Sequence, residues 1–251
     1  MPVKGYTVAA SSELSDAAAA GMALVEMGYR INDAGRLIKQ AVLSPVSAEL
    51  MGISDAAMTR LPEDIRRLAG DIFYEMKSRN YKGVLLDFEG SGESMMRFAS
   101  RLSHALADRG VRHFLPGRFF SAAPSAVLLL QTAVSGGSFS GMCAEMERRY
   151  GAGRVAYELE PARQDFTLPS MGAPGKKLTP EALRRMISDR AYSVFYSREL
   201  ACRYFTYRDE EGKTHFVIYD DRDTVAEKMR LIGERGDFEV FILFSDWRTL
   251  G

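Results

Sequence analysis

No apolar run in this sequence approaches the ~20 residues that a membrane-spanning helix needs, so none of it is expected to cross a bilayer that way. Charge of one sign is also missing. Lys plus Arg and Asp plus Glu are 33 each, which argues against nucleic acid or an anionic membrane surface as a partner. Cysteine is scarce. Cys143 and Cys202 lie far apart without metal spacing and suit buried thiols in a reducing compartment, with a single disulfide as the alternative. The three histidines, His104, His113 and His215, have no second ligand at helical or turn spacing, so no metal site is expected. The glycines of 165–177 lack Walker and dinucleotide spacing, and Ser135-Gly136-Gly137-Ser138 is not a nucleophile elbow, so no cofactor is expected. A secretion signal is missing too. The apolar stretch 17–24 follows Glu13 and Asp16, the wrong flank, and the expected location is cytoplasmic.

What is present is an ordinary globular composition, 46% hydrophobic and 26% charged, over 251 residues. With no repeats, low-complexity segments or linker, residues 1–251 read as one domain, a size typical of an α/β barrel. The clearest signals are helices followed by short apolar runs. Residues 61–79 carry one apolar stripe, with Pro62, Glu63 and Asp64 in the first turn. A second helix over 93–108 stops at Gly110, and strands are expected over 111–115, 126–132, 154–159 and 239–244. Residues 203–207 and 215–219 read as a β-hairpin inserted before the last helix and strand, and 165–177 as a loop. This alternation predicts a TIM-type (β/α)8 barrel. Its N-terminal third is harder to place. A strand over 6–10, an alanine-rich helix over 17–27 and an apolar stretch at 41–43 provide two strands where three barrel units must fit, so this part is expected to be irregular or incomplete.

The segment Gly83-Val84-Leu85-Leu86-Asp87-Phe88-Glu89-Gly90 organises the rest. Alternation puts Leu85, Asp87 and Glu89 on one face and Val84, Leu86 and Phe88 on the other. In a barrel the second face packs on helices and the first looks inward, which places two carboxylates where barrel enzymes hold their chemistry. The alternative is a pair of solvated acids opening the next loop.

This segment resembles the catalytic strand of glycoside hydrolase family 18, Asp-Gly-x-Asp-x-Asp-x-Glu on the fourth barrel strand. Glu89, Asp87 and Gly83 match, whereas Lys82 and Leu85 stand where two further Asp are usual. The C-terminal third is similar to bacterial members related to spore-cortex and peptidoglycan hydrolases. It has a paired-strand insertion, Asp220-Asp221, a helix with Lys228 at mid-length and a final apolar strand, so the likeness runs from Tyr81 to Trp247. The resemblance implies a retaining glycosidase whose nucleophile is the substrate's own acetamido oxygen, an exception to the two-carboxylate scheme. It puts the general acid on Glu89 and the carboxylate that assists the acetamido group on Asp87. The pair on one face should raise at least one of their pKa values, with Leu85 an apolar wall beneath.

The family's sixth-strand Tyr has no counterpart. Gln131 can donate to the acetamido carbonyl in its place, and Tyr157 is either a substitute or a packed aromatic. The family's last strand supplies an aromatic floor for the sugar. Phe244 and Trp247 are the candidates, with a plain packing role as the alternative for Trp247. The implied substrate is a β-linked polymer containing N-acetylglucosamine, peptidoglycan ahead of chitin. A catalytically silent barrel that binds an N-acetylated sugar or a protein partner is the second reading, and a barrel hydrolase of another kind the third.

Overall fold

The computed structural model describes residues 3–40, 44–132, 137–169, 174–189 and 192–250. The apolar stretch at 41–43 and residues 135 and 136 of the Ser-Gly-Gly-Ser segment lie outside them. The strands are β1 (Lys4–Ala10), β2 (Ala23–Ile31), β3 (Leu37–Lys39), β4 (Leu50–Ser54), β5 (Gly83–Asp87), β6 (His113–Pro116), β7 (Val127–Gln131) and β8 (Val155–Glu158). An inserted group follows, β9 (Arg163–Leu168), β10 (Lys176–Lys177), β11 (Phe195–Ser197), β12 (Cys202–Arg208) and β13 (Thr214–Tyr219), before β14 (Glu239–Leu243). The α-helices are α1 (Leu14–Ala17), α2 (Ile65–Ser78), α3 (Glu93–Ala107), α4 (Phe139–Tyr150), α5 (Pro180–Asp189), α6 (Arg222–Gly233) and α7 (Phe244–Trp247).

Neighbours run β1-β14-β8-β7-β6-β5-β4-β2, all parallel, and β1 pairs with β2 to close the ring. This is an eight-stranded barrel of the TIM type, and β5 is its fourth strand. The alternation read for β5 holds. Leu85 packs inside the barrel with Tyr6, Val8, Leu50, Phe114 and Phe241, while Val84, Leu86 and Phe88 join the layer under the helices. Each such buried Leu or Phe contributes about 1.5–3 kcal/mol. Gly83 is needed for close approach, because a Cβ there would lie 2.8 Å from the carbonyl oxygen of Arg112, the residue before β6.

The N-terminal third supplies three barrel strands. The helix expected over 17–27 is instead a few helical turns that end at Gly21 (φ 72°), and from Ala23 the chain is β2. Pairing with β1 and β4 on both sides overrides the helix propensity of the alanines. β4 has no counterpart in the sequence reading because Gly52 interrupts its apolar run. The glycine lets two strands meet, since a Cβ there would collide with the Met27 sulfur. The irregularity is confined to a register shift between Met27 and Tyr29 and to β3, an antiparallel strand on the outer edge of β2. α2 starts three residues beyond Pro62, where Asp64 accepts the Arg67 N–H at 3.0 Å.

The expected hairpin is the centre of a larger sheet, β10-β9-β13-β12-β11, antiparallel throughout. Residues 163–168, read mostly as loop, pair along the whole of β13. One face of this sheet packs on α5 through Leu183, Phe205, Val217 and Tyr219. A buried ion pair ties the sheet's exit to the barrel. Lys228 Nζ donates to Asp220 Oδ2 at 2.5 Å, and Asp220 also accepts the Ala162 N–H at 2.7 Å and the Thr224 hydroxyl at 2.8 Å. Both charged side chains are almost fully buried. Lys228→Met leaves a buried carboxylate without its cation and is expected to cost about 3–5 kcal/mol in urea unfolding. The double variant Lys228→Met, Asp220→Asn should lose less. A loss under about 1 kcal/mol for the single variant would remove the pair from this account.

Candidate active site

The carboxyl ends of the barrel strands open into a cavity of about 740 Å³. Its floor is the top of the barrel interior, Val8, Leu85, Leu129 and Phe241. Asp87 ends β5, and Glu89 follows two residues later on the same face. Both side chains are accessible and both line the cavity.

The loop carrying Glu89 is held from behind by Asp55, the residue after β4. Its buried carboxylate accepts the backbone N–H groups of Glu89 and Gly90, each at 2.9 Å. Asp55 thereby fixes where β5 ends and where Glu89 emerges. It also adds a third negative charge near the pair. Asp87 is reached by solvent through the cavity mouth but enclosed by protein on its other sides. Burial, with Glu89 and Asp55 adding to it, raises the pKa of its carboxyl above the ordinary 3.8, while Arg118 pulls the other way.

Glu158 ends β8 and lines the same cavity. Burial raises its pKa above the ordinary 4.5, and a hydrogen bond from the Gln131 side chain opposes this. Gln131 ends β7 and lines the cavity, so this candidate comes to the acids with its amide engaged by Glu158.

Tyr157, Phe244 and Trp247 are not brought to the cavity wall. Tyr157 is fully buried on the outer face of β8. Its hydroxyl donates to Glu147 at 2.8 Å and its ring packs edge-on against Phe238. Strand alternation decides this, because Ala156 takes the inward position and Glu158 the next one. On the last strand Leu243 faces the cavity, which turns Phe244 into the layer under the helices. Trp247 packs between two core clusters beneath the Arg222 guanidinium, 5.5 Å from its ring centre. The end of the last strand thus presents Leu243, not an aromatic side chain, to the site.

Sequence reasoning missed Asp55 and Glu158. Glu158 carries the same signal as Asp87, an acid closing an apolar strand. Asp55 had no signal until β4 was recognised as a strand.

No family model matches this chain, and no curated protein matches its sequence. Solved structures do match. The spore cortex-lytic enzyme SleL of Bacillus cereus superposes with a TM-score of 0.65 at 15% identity, covering 99% of this chain and 73% of that one. A chitinase from Chromobacterium violaceum gives 0.62 at 15% identity, covering 100% and 98%. A glycoside hydrolase family 18 chitinase from Cycas revoluta, solved with (GlcNAc)4, gives 0.57 at 11% identity, covering 96% and 94%. This chain has their fold. The family 18 likeness read from 83–90 and from the C-terminal third is therefore met at the level of fold.

Chemically, the arrangement offers adjacent carboxyl groups in an enclosed mouth, a cation beside them and a primary amide opposite. One acid can hold a proton for a leaving oxygen while its neighbour faces a developing positive charge.

Proposed function

We propose that the protein is a retaining glycosidase acting on β-linked polymers that contain N-acetylglucosamine, with the whole chain working as one unit. One observation carries this reading: Asp87 and Glu89 open side by side into the cavity at the carboxyl end of the fourth barrel strand. Glu89 protonates the leaving glycosidic oxygen. Asp87, ionised, receives the acetamido N–H and stabilises the oxazolinium cation as the acetamido oxygen attacks the anomeric carbon. Water then opens the oxazolinium ring with Glu89 as base, which restores the acetamido group and the proton on Glu89. Gln131 and Glu158 bound the pocket on the side where the acetamido group lies. Leu85 keeps water from beneath Asp87.

The test is release of reducing ends from an N-acetylated oligosaccharide and from the same oligosaccharide after de-N-acetylation. The proposal expects cleavage of the first alone. Cleavage of both at equal rates would remove the acetamido group from the mechanism. Binding of the N-acetylated form without cleavage at any pH would select a silent sugar-binding barrel, which the departures at Leu85 and Gln131 favour.

A further inference from the structure

The cavity does not end at the barrel mouth. Between β6 and β7 the chain makes one helical turn, Gly117–Phe119, and no α-helix, which leaves a gap at the carboxyl end of these strands beside α4. The cavity continues into this gap. Its wall there is one face of α4, Met142, Glu145, Met146, Arg149 and Tyr150, opposite Gly117 and Arg118. These α4 positions recur at three- and four-residue spacing, the interval of a single helix face.

The chemistry of this branch differs from that of the acid-lined mouth. Its floor is apolar, with Leu130, Met142 and Met146. Glu145 is already taken by Arg148, whose guanidinium holds both carboxylate oxygens at 2.6 and 2.7 Å. Arg118 and Arg149 are exposed, rest on the rings of Phe119 and Tyr150, and have no ion-pair partner among the described residues. The span from Met142 to Tyr150 is about 12 Å at 1.5 Å per residue. An extended peptide covers that distance in about four residues. An apolar floor, two guanidinium groups without an ion-pair partner among the described residues (Arg118 also acting on Asp87 in the mouth) and this length suit a short peptide with small apolar side chains and free carboxylates, joined to a sugar in the mouth.

We infer that this groove binds the carboxylate-bearing peptide substituent of a peptidoglycan strand, with Arg149 and Arg118 as its anion contacts. This rests on the glycosidase reading and narrows it, because an unsubstituted chitin chain has nothing to place there. Discrimination would then come from the groove and cleavage from the mouth.

The test is calorimetric binding of a peptide-bearing disaccharide (a muropeptide) and of a neutral N-acetylated tetrasaccharide to the wild-type protein and to Arg149→Gln. Arg149 lies on the surface, and a charge-assisted hydrogen bond is worth about tenfold or more in affinity. The expected result is muropeptide binding weakened about tenfold by Arg149→Gln, with tetrasaccharide binding unchanged. The same loss is expected when the muropeptide carboxylates are amidated and offered to the wild type. Equal muropeptide affinity in the two proteins, or equal weakening of both ligands, would overturn the inference. Tetrasaccharide cleavage followed in parallel reports on the glycosidase reading alone, and binding is read whether or not turnover occurs.

Discussion

Glu89→Gln is expected to lower turnover of an N-acetylated oligosaccharide by about 10²–10⁴-fold, the range that a positioned general acid supplies. Its binding should change little. The side chain is open to the cavity, and the loop that carries it is held through backbone N–H groups, which the substitution leaves in place. Thermal stability should therefore stay close to wild type, and the loss should fall on kcat. A measurement of kcat and KM beside a melting curve checks all three. Equal turnover by the two proteins would take Glu89 out of the mechanism.

Asp55→Asn is expected to lower turnover by about 10²-fold without touching substrate, the cost of a misplacement on the order of 1 Å at a reacting group. The carboxylate accepts two N–H groups, and an amide has one acceptor oxygen to offer. One charge-assisted bond, about 1.5–3 kcal/mol, is replaced by an N–H facing an N–H. The substitution also removes a negative charge near Asp87. That charge raises the Asp87 pKa, so without it the pKa falls towards the ordinary value. Turnover needs Asp87 ionised, and the acid limb of the pH–rate profile follows its pKa. The limb should therefore move to lower pH in Asp55→Asn as the overall rate drops. A purely structural defect would lower the rate with the limb in place. An unchanged rate and an unchanged limb together would remove Asp55 from the site.

The central strand was legible because its constraints are local. Gly83, three apolar residues and two acids at a spacing of two state burial on two faces and an acidic carboxyl end, and β5 has that form. The (β/α) rhythm after residue 61 was legible for the same reason, since helices with one apolar stripe were followed by short apolar runs. β2 and β4 were not legible, because partners distant in sequence decide them. The alanines before β2 favour a helix in isolation, and Gly52 in β4 reads as a breaker until the Met27 side chain is placed against it. The site divides along the same line. Asp87, Glu89 and Gln131 lie at the carboxyl ends of strands that were recognised. Tyr157, Phe244 and Trp247 were chosen by residue type near a strand end, and the one-residue parity of each strand or its exit turned them away from the cavity. That parity could have been applied to β8 from the sequence, where Ala156 and Glu158 share the inward face.

The measurement that bears most directly on the central claim is the anomeric form of the first product, followed by proton NMR during cleavage of a β-linked N-acetylglucosamine oligosaccharide. Attack by the acetamido oxygen from one face and by water from the same face as the departed sugar predicts a β-anomer that later mutarotates. An α-anomer as first product would mean direct displacement by water. Asp87 and Glu89 would then not act through the substrate's acetamido group, and the proposed mechanism would be contradicted.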